Sequence, residues 1–264
     1  MKLFAIFGDP VSHSRSPLMH NSVFKSCYYP ACYTRIHLKD GNALRELFLA
    51  TQLSGANITV PHKEAAFAAC DEIRGFAKEV GVVNTIVKEG DKLIGYNTDA
   101  DGFIYAIEPF GPIKKVLVLG AGGTAKALAA RFLQEKMEVT ILNRSAKRLE
   151  SFAALPCKKE TWESFEADTS YDLVVNTTSA GLNDNNLPAP LSIVESVLQR
   201  THYAADAIYG KMTPFLEAAK RHNIAYKDGA DMLLGQGVLA NILFTQEHLS
   251  KEAVEAAMKK SFLL

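Results

Sequence analysis

The sequence predicts an α/β protein built from two domains. The first observation is an apolar run at residues 116–119, typical of a strand buried on both faces, which leads directly into the glycine turn 120–123. Apolar residues then recur at helical spacing over residues 125–133, and a second apolar run follows at 139–142. Strand, turn, helix and strand in this order predict one βαβ crossover of a parallel sheet. The second observation is the length of 264 residues, which suits two domains of about 150 residues each.

The glycine turn matches a dinucleotide-binding fingerprint, with Gly120, Gly122 and Ala125 in its three small-residue positions. The first glycine allows a tight turn, the second lets backbone N–H groups approach a pyrophosphate, and the third small residue lets helix and strand pack closely. The alternative is a glycine turn with a structural role only. Because the turn lies between a predicted strand and a predicted helix, we favour a Rossmann-type domain. Its expected cofactor contacts in this turn are Gly120, Ala121, Gly122, Gly123, Thr124 and Ala125.

The residues after the second strand indicate which dinucleotide binds. A domain that binds NAD places a carboxylate about 20 residues after the glycines, where it holds the ribose 2′-hydroxyl. This chain instead has Asn143, Arg144 and Ser145, followed by Lys147 and Arg148. Cations and short polar side chains attract a 2′-phosphate, so we predict NADP as the cofactor, held by the first three residues and by Arg148. The alternative is that Ser145 caps the next helix and the cations form its solvated face.

Composition argues against several classes of protein. Lysine plus arginine and aspartate plus glutamate number 29 each, so there is no broad positive field for nucleic acid or an anionic membrane. No apolar run approaches the roughly 18 residues of a membrane-spanning helix. The seven histidines and four cysteines show no metal-ligand spacing and no CxxC pair, so we expect no metal and reduced thiols in a cytoplasmic protein. The chain opens directly into a predicted strand, and we therefore expect no signal peptide.

The first predicted strand covers residues 2–7, and a polar loop with an excess of hydroxyl groups follows it. Ser12, Ser14 and Ser16 lie in this loop, and Pro17 suits the first position of a helix. Ser16 could simply cap that helix, but one cap does not explain three serines. Two serines at i and i+2 of an extended backbone point to the same side, and such a pair can hold a carboxylate or a polyol.

A second dense polar stretch belongs to the strand that leads to Pro61. Asn57 and Thr59 share one face of this strand near its carboxyl end, where open α/β sheets bind their ligands. Lys63 falls in the first turn of the following helix, at the positive end of the helix dipole, where an ammonium is disfavoured. We therefore weigh a role as proton donor and acceptor against the commoner fate of a lysine, which is exposure to water.

Further polar residues stand in or after predicted strands. Asn84 lies in a valine-rich strand at 82–87, where it needs hydrogen bonds from the backbone or from a ligand. Asp99 follows the second strand of a predicted hairpin, and its alternative role is to cap the helix that begins near residue 101. In the predicted nucleotide-binding domain, a polar turn at 176–181 follows the third strand and can line the cofactor.

These motifs together resemble the shikimate dehydrogenase family, NADP-dependent reductases of 3-dehydroshikimate, over nearly the whole chain. Each motif alone is a modest signal, but all of them occur in the order found in that family. The motifs are residues 12–17 (SHSRSP), 55–63 (GANITVPHK), 82–85 (VVNT), 95–102 (GYNTDADG), 120–123 (GAGG), 143–145 (NRS) and 176–181 (NTTSAG), and Asp228-Gly229 with Gln236.

The resemblance implies roles for individual residues. Ser14 and Ser16 would hold the substrate carboxylate, while Lys63 and Asp99 would form the catalytic pair beside the C3 oxygen. The other expected substrate contacts are Asn57, Thr59, Asn84, Tyr209 and Gln236. The further expected cofactor contacts are Thr177, Thr178, Ser179, Ile208 and Gly229. Gly210 follows Tyr209 where the family usually has Asn-Pro, so the geometry of that loop is expected to differ.

The resemblance also implies a discontinuous substrate-binding α/β domain, formed by residues 1–100 and 237–264, around a Rossmann-type NADP-binding domain at 101–236. We expect a monomer or a homodimer that reduces 3-dehydroshikimate to shikimate reversibly, as a step towards the aromatic amino acids. Two other functions stay open. One is a quinate/shikimate dehydrogenase that uses NAD, although no acidic residue stands near position 143. The other is a non-catalytic dinucleotide-binding sensor on the same scaffold, since fold does not fix function.

Overall fold

The chain forms two compact units in a computed structural model that describes residues 1–166 and 168–262. The first unit comprises Met1–Gly102 and Leu234–Leu264, and the second comprises Phe103–Leu233. The chain leaves the first unit within one helix and returns to it within another, so the first unit is discontinuous in sequence. The expected domain boundaries at residues 100 and 237 fall within these same two helices.

In the described residues, twelve strands form two sheets of six strands each. The strands are β1 Lys2–Gly8, β2 Ala31–His37, β3 Gly55–Ile58, β4 Glu72–Ile73, β5 Thr85–Glu89, β6 Lys92–Tyr96, β7 Lys115–Leu119, β8 Glu138–Asn143, β9 Lys158–Thr161, β10 Tyr171–Asn176, β11 Thr201–Asp206 and β12 Ala225–Lys227.

The helices of the same residues include the one predicted after the glycine turn, which is α6. They are α1 Ser16–Ser26, α2 Leu44–Ala50, α3 Lys63–Ala69, α4 Ala77–Val80, α5 Asp99–Ile107, α6 Gly123–Gln134, α7 Ala146–Leu149, α8 Leu191–Leu198, α9 Pro214–Arg221, α10 Ala230–Thr245 and α11 Lys251–Ser261. Across the described part of the chain, no helix has the length and apolar character needed to cross a membrane.

The first sheet is mixed, with the strand order β2-β1-β3-β5-β6-β4. Strands β1, β2 and β3 are parallel, whereas β5 runs antiparallel to both β3 and β6. The carboxyl ends of β1, β3 and β6 therefore meet the amino end of β5 at one edge of the sheet. Strand β1, which lies between β2 and β3, is buried on both faces, because Phe4 and Ile6 belong to one apolar cluster while Ala5 and Phe7 belong to another.

The second sheet is entirely parallel, with the strand order β12-β11-β10-β7-β8-β9. The predicted neighbours β7 and β8 do pair in parallel through the crossover helix α6. The strand order reverses between β7 and β10, and the crevice at such a reversal is where open α/β sheets bind their ligands. The carboxyl ends of β7, β8, β10 and β11 all face this edge of the sheet.

The end of one predicted strand is wrong, and four short elements were not predicted. The largely apolar run at residues 204–208 predicts a strand that ends at Ile208, but β11 ends at Asp206, where the Asp206 carboxylate accepts a hydrogen bond from the Ile208 N–H. The segments β4, α4, β9 and α8 were not predicted. They are two to eight residues long, and so short a run gives little periodic signal.

Candidate active site

The edge of the first sheet where β3 and β6 end brings together most of the predicted substrate-contacting residues. Asn57 lies near the end of β3. Asn84 was predicted to lie within a strand, but it immediately precedes the antiparallel strand β5. Asp99 follows β6 as the first residue of α5. The expected helix start near residue 101 is therefore wrong, and Asp99 is part of the first helical turn. Asn97 bonds the N–H of Asp99 in its place (3.1 Å).

A buried ion pair joins Lys63 to Asp99, with 2.5 Å between Nζ and Oδ2. The two side chains are 11% and 9% exposed, so the alternative of a lysine that points into water is wrong. Lys63 is the first residue of α3, and its ammonium therefore lies at the unfavourable end of a helix dipole. The Asp99 carboxylate offsets this cost, because a buried charge needs a partner. The pair is an ammonium and a carboxylate shielded from most solvent, which can give and take a proton.

The two serines of the polar loop, Ser14 and Ser16, are buried and lie side by side. Their Oγ atoms are 3.2 Å apart, and the Ser14 Oγ accepts a hydrogen bond from the Ser16 N–H (3.3 Å). The backbone between them is helical rather than extended, with Arg15 at φ −86° and ψ −7°, so the pair forms through a turn. Arg35 was not predicted, although its guanidinium donates two hydrogen bonds to the Ser14 carbonyl oxygen (Nε 3.1 Å, Nη2 2.5 Å). Two adjacent hydroxyls and a nearby cation suit an anionic ligand group.

The amide of Asn57 has only one possible orientation. Its Nδ2 lies 3.4 Å from the Asn84 backbone carbonyl oxygen, which can only accept, and it donates to the Thr85 Oγ1 (3.0 Å). The Oδ1 therefore faces the Tyr33 hydroxyl, which donates to it at 2.7 Å. Burial raises the pKa of the Tyr33 hydroxyl well above its ordinary value, so this donor keeps its proton. His20 stacks on the Tyr33 ring at 4.4 Å, and burial lowers its pKa to about 3, so the imidazole is neutral.

Asn84 is fixed in the same way by a backbone group. Its Oδ1 accepts from the Thr98 N–H (2.8 Å) and from the Thr85 Oγ1 (3.0 Å), and its Nδ2 donates to the Thr98 Oγ1 (3.0 Å). One run of hydrogen bonds thus connects Tyr33, Asn57, Thr85, Asn84 and Thr98. Sequence reasoning missed Tyr33, Thr85 and Thr98 as parts of the site, although Thr85 and Thr98 directly follow asparagines in the polar motifs.

The other predicted substrate contacts are distributed less closely. Thr59 lies beyond the end of β3 and is half-buried. The prediction that it shares a strand face with Asn57 is therefore wrong. Gln236 is buried on α10. A Cβ added at Gly102 on α5 would lie 2.5 Å from the backbone nitrogen of Gln236, so only glycine at position 102 allows α5 and α10 to pack this closely. Tyr209 follows β11 in the second unit and is half-buried.

The two fingerprint glycines of the second unit, Gly120 and Gly122, have different roles. Gly120 has φ +109°, and a Cβ there would lie 2.9 Å from both the Thr177 Oγ1 and the Thr178 Cγ2. Gly122, which precedes α6, has φ −95°, and within the described residues nothing lies within 4 Å of a Cβ built on it. Gly120 is thus required by the fold itself, whereas Gly122 leaves open space at the N-terminus of a twelve-residue helix. That space and the positive helix end fit a pyrophosphate.

The basic residues that follow β8 are exposed. Ser145 is at the N-cap position of α7, but its side chain makes no capping hydrogen bond to any described residue. A capping role therefore does not account for the Ser145 hydroxyl. The Arg144 guanidinium lies 5.9 Å from the centre of the Trp162 ring, and Lys147 and Arg148 are exposed on α7. This cluster fits the extra phosphate of NADP better than a bare 2′-hydroxyl.

The remaining predicted cofactor contacts lie at the same edge of the second sheet. Thr177, Thr178 and Ser179 follow β10, Ile208 follows β11, and Gly229 precedes α10. The Thr177 hydroxyl donates to the carbonyl oxygen of Leu119, the last residue of β7 (2.8 Å). For the residues described, no cluster of three or more His, Cys, Asp or Glu is arranged to hold a metal ion.

Comparisons with known proteins relate this chain to one enzyme family over nearly its whole length. A family model described as the shikimate dehydrogenase substrate binding domain matches residues 6–86, and one described as shikimate / quinate 5-dehydrogenase matches residues 107–182. The NADP(+) shikimate dehydrogenase of Helicobacter hepaticus is 42% identical over 98% of this chain and 97% of its own. That of a Helicobacter pylori strain is 40% identical over 99% of both. The crystal structure of shikimate 5-dehydrogenase from Thermus thermophilus, in complex with NADP(H) and shikimate, matches with a TM-score of 0.83 and 32% identity, over 99% of this chain and 100% of that one.

Replacing Tyr33 by phenylalanine tests the hydrogen bond that satisfies Asn57. We expect Tyr33→Phe to lower the free energy of unfolding by about 1–3 kcal/mol, because the buried Asn57 Oδ1 loses its donor. Urea denaturation measures this change. Tyr29→Phe is the matched control, since Tyr29 packs against the same apolar cluster and should change stability by less than about 0.5 kcal/mol. Equal stabilities of the two variants would contradict the assigned hydrogen bond.

Substitutions at the two fingerprint glycines should separate binding from folding. Gly122→Val places a side chain in the open space before α6, and we expect NADPH affinity to fall at least about tenfold with little loss of stability. Gly120→Ala should instead destabilise the protein by about 1–3 kcal/mol, because alanine is strained at positive φ and would collide with Thr177 and Thr178. NADPH fluorescence titration and urea denaturation measure the two effects. Unchanged NADPH binding by Gly122→Val would refute the proposed phosphate site.

Proposed function

The chain belongs to the shikimate dehydrogenase family, and we propose that it catalyses the reversible, NADP-dependent reduction of 3-dehydroshikimate to shikimate. The observation that carries the proposal is the buried pair of Lys63 and Asp99, at a sheet edge that also holds the amides of Asn57 and Asn84. A proton-transfer pair beside fixed hydrogen-bonding groups suits the reduction of a ketone on a ring that carries hydroxyls.

The serine pair is proposed to bind the substrate carboxylate. Hydroxyls of Ser14 and Ser16 can both turn their protons towards an anion, and the Arg35 guanidinium behind the Ser14 carbonyl adds positive charge to this end of the site. The ring hydroxyls are then assigned to the amides of Asn57 and Asn84. Thr59, Gln236 and Tyr209 are proposed as the remaining substrate contacts.

Lys63 is proposed to handle the proton of the reaction. Its ammonium donates a proton to the C3 oxygen as the ketone is reduced, and the neutral amine takes it back when the alcohol is oxidised. Asp99 holds the lysine in place through the 2.5 Å contact. Because both side chains are largely buried, bulk water does not compete at the reacting oxygen.

Bound NADPH supplies the hydride that reaches C3 of the substrate. In the second unit, the open space at Gly122 would receive the pyrophosphate, and Arg144, Ser145 and Arg148 would hold the 2′-phosphate. We also place the reaction in the cytoplasm, where the four cysteines, all free thiols, stay reduced. A monomer or a homodimer remains our expectation for the assembly.

The direct test is an assay that follows NADP+ reduction with shikimate and, in parallel, with quinate. We expect turnover of shikimate with NADP+ to exceed that of quinate and that of either substrate with NAD+. A preference for NAD+ or for quinate would favour the quinate/shikimate dehydrogenase alternative. Binding of NADPH and shikimate without turnover would instead favour a dinucleotide-binding sensor.

Replacing Lys63 by alanine should separate turnover from binding. We expect kcat to fall by about 10²–10⁴-fold while the KM for shikimate changes little, because the proton donor is lost but the groups that hold the substrate stay. Steady-state kinetics measure both constants, and circular dichroism checks that the variant is folded. Lys251→Ala is the matched control, since Lys251 is also the first residue of a helix in the first unit but is exposed. Near-normal turnover by Lys63→Ala would remove its assigned role.

Replacing Arg144 by alanine should weaken the preference for NADP over NAD. The side chain is proposed to hold the 2′-phosphate, which NAD lacks, so we expect kcat/KM to fall about 10- to 100-fold for NADP+ and to change little for NAD+. Lys220→Ala removes another exposed cation of the second unit and should leave the preference unchanged. An equal loss with both cofactors would indicate that Arg144 does not recognise the 2′-phosphate.

A further inference from the structure

A buried carboxylate of the second unit, that of Asp206, is used by none of the roles assigned above. It is the last residue of β11 and is 1% exposed, and burial raises the pKa of its carboxyl. Three groups donate hydrogen bonds to it, namely the Ile208 N–H (2.9 Å), the Thr213 Oγ1 (2.7 Å) and the Asn176 Nδ2 (3.0 Å). A buried carboxylate is costly, and three donors from separate segments offset that cost.

The donor from Asn176 connects Asp206 to the turn that follows β10. The Asn176 Oδ1 accepts from both the N–H (2.9 Å) and the Oγ1 (2.8 Å) of Thr178. Because a backbone N–H can only donate, the amide has one orientation and must turn its Nδ2 towards an acceptor at position 206. Thr178 in turn lies against Gly120, where a Cβ would come within 2.9 Å of it. The carboxylate thus supports the Thr178 turn, and the turn packs on the glycine fingerprint.

The donor from Ile208 connects Asp206 to the second wall of the predicted cofactor site. Asp206 takes the Ile208 N–H, while the Ile208 carbonyl oxygen accepts from the Gly229 N–H (2.9 Å). A Cβ at Gly229 would lie 2.3 Å from the Ala207 carbonyl oxygen, so this segment is closely packed as well. Thr213 caps α9 through the same hydroxyl that donates to Asp206, which anchors the carboxylate from the other side.

We infer that Asp206 is a positioning residue for the NADP site, in which one carboxylate sets both the turn at residues 177–179 and the position of Ile208. The inference rests on the proposed function, because that proposal assigns NADP to these residues. It goes further by assigning an effect on NADP affinity to a residue that is 1% exposed and is not one of the predicted cofactor contacts. Asp206 acts on the turn through Asn176, whose amide donates a hydrogen bond to Asp206 and accepts one from Thr178.

Exchanging the two polar groups tests this polarity directly. In Asp206→Asn the new amide must keep its oxygen towards the Ile208 N–H, so its NH₂ meets the NH₂ of Asn176 and two donors face each other. The double variant Asn176→Asp/Asp206→Asn restores a donor and an acceptor, because the carboxylate at position 176 can accept from Thr178 and from the new amide. The readouts are the Kd for NADPH by fluorescence titration, the KM for shikimate, and the midpoint of thermal unfolding.

We expect Asp206→Asn to raise the Kd for NADPH at least about tenfold while the KM for shikimate stays within about twofold, and the double variant to return to within about threefold of the wild type. Asp172→Asn is the matched control. Asp172 lies on β10 at the opposite end of the strand and accepts from the backbone N–H groups of Lys114 and Lys115 (2.7 and 2.9 Å). This variant should lower the unfolding midpoint without a change in NADPH affinity.

The outcomes are distinguishable from a failure of the proposed function. A wild-type protein that does not bind NADPH would overturn that function, and the inference with it. If the wild type binds and Asp206→Asn binds equally well, the inference alone is wrong. If Asp206→Asn does not fold, the double variant decides. A folded double variant with near wild-type affinity for NADPH supports the inference. The single variant Asn176→Asp serves as its reference. A double variant that does not fold, or that binds NADPH as weakly as Asn176→Asp, contradicts the inference.

Discussion

Buried asparagine amides must satisfy an acceptor and a donor at the same time, and this requirement fixes the loops at the functional edge of each sheet. Asn57, Asn84 and Asn176 are each buried, and each has at least one partner in the backbone that can only donate or only accept. The amide therefore has one permitted orientation, and the next side chain along must supply the complementary group. Tyr33 does so for Asn57, and Asp206 does so for Asn176. Such fully satisfied networks specify one geometry, because every alternative leaves a polar atom buried without a partner.

The pair of Lys63 and Asp99 follows a different logic, since a buried ion pair contributes little net stability. The cost of removing two charges from water roughly offsets their attraction, whereas the loss of one partner leaves an uncompensated charge. An apolar pair of similar volume would hold α3 and α5 together as well. Retaining charge at this position is therefore better explained by chemistry than by folding. The placement of each residue at the first position of a helix supports the same view, because only Asp99 is favoured there by the helix dipole.

Sequence reasoning found the residues that carry a local signal and missed those whose partners are distant. The glycine fingerprint, the basic residues after β8 and the pair of serines are short patterns that can be identified without a fold. Tyr33 is different, because it meets Asn57 only through the strand order β2-β1-β3, in which Tyr33 and Gly55 both lie level with Phe4. Asp206 likewise meets Asn176 through the parallel register of β10 and β11. Neither the strand order nor the register can be obtained from periodicity, which specifies the buried face of a strand and not its neighbour.

The direction of β5 decides how the first sheet builds its site. Because β5 is antiparallel, its amino end lies at the edge where β3 and β6 have their carboxyl ends, and Asn84 is brought between Asn57 and Thr98. A parallel strand would carry Asn84 to the opposite edge. The second sheet needs no such reversal, because Asn176 and Asp206 end neighbouring parallel strands at the same level. A mixed sheet thus lets residues before and after strands meet, while a parallel sheet draws only on residues that follow them, which is why its ligand-facing groups are turns and helix N-termini.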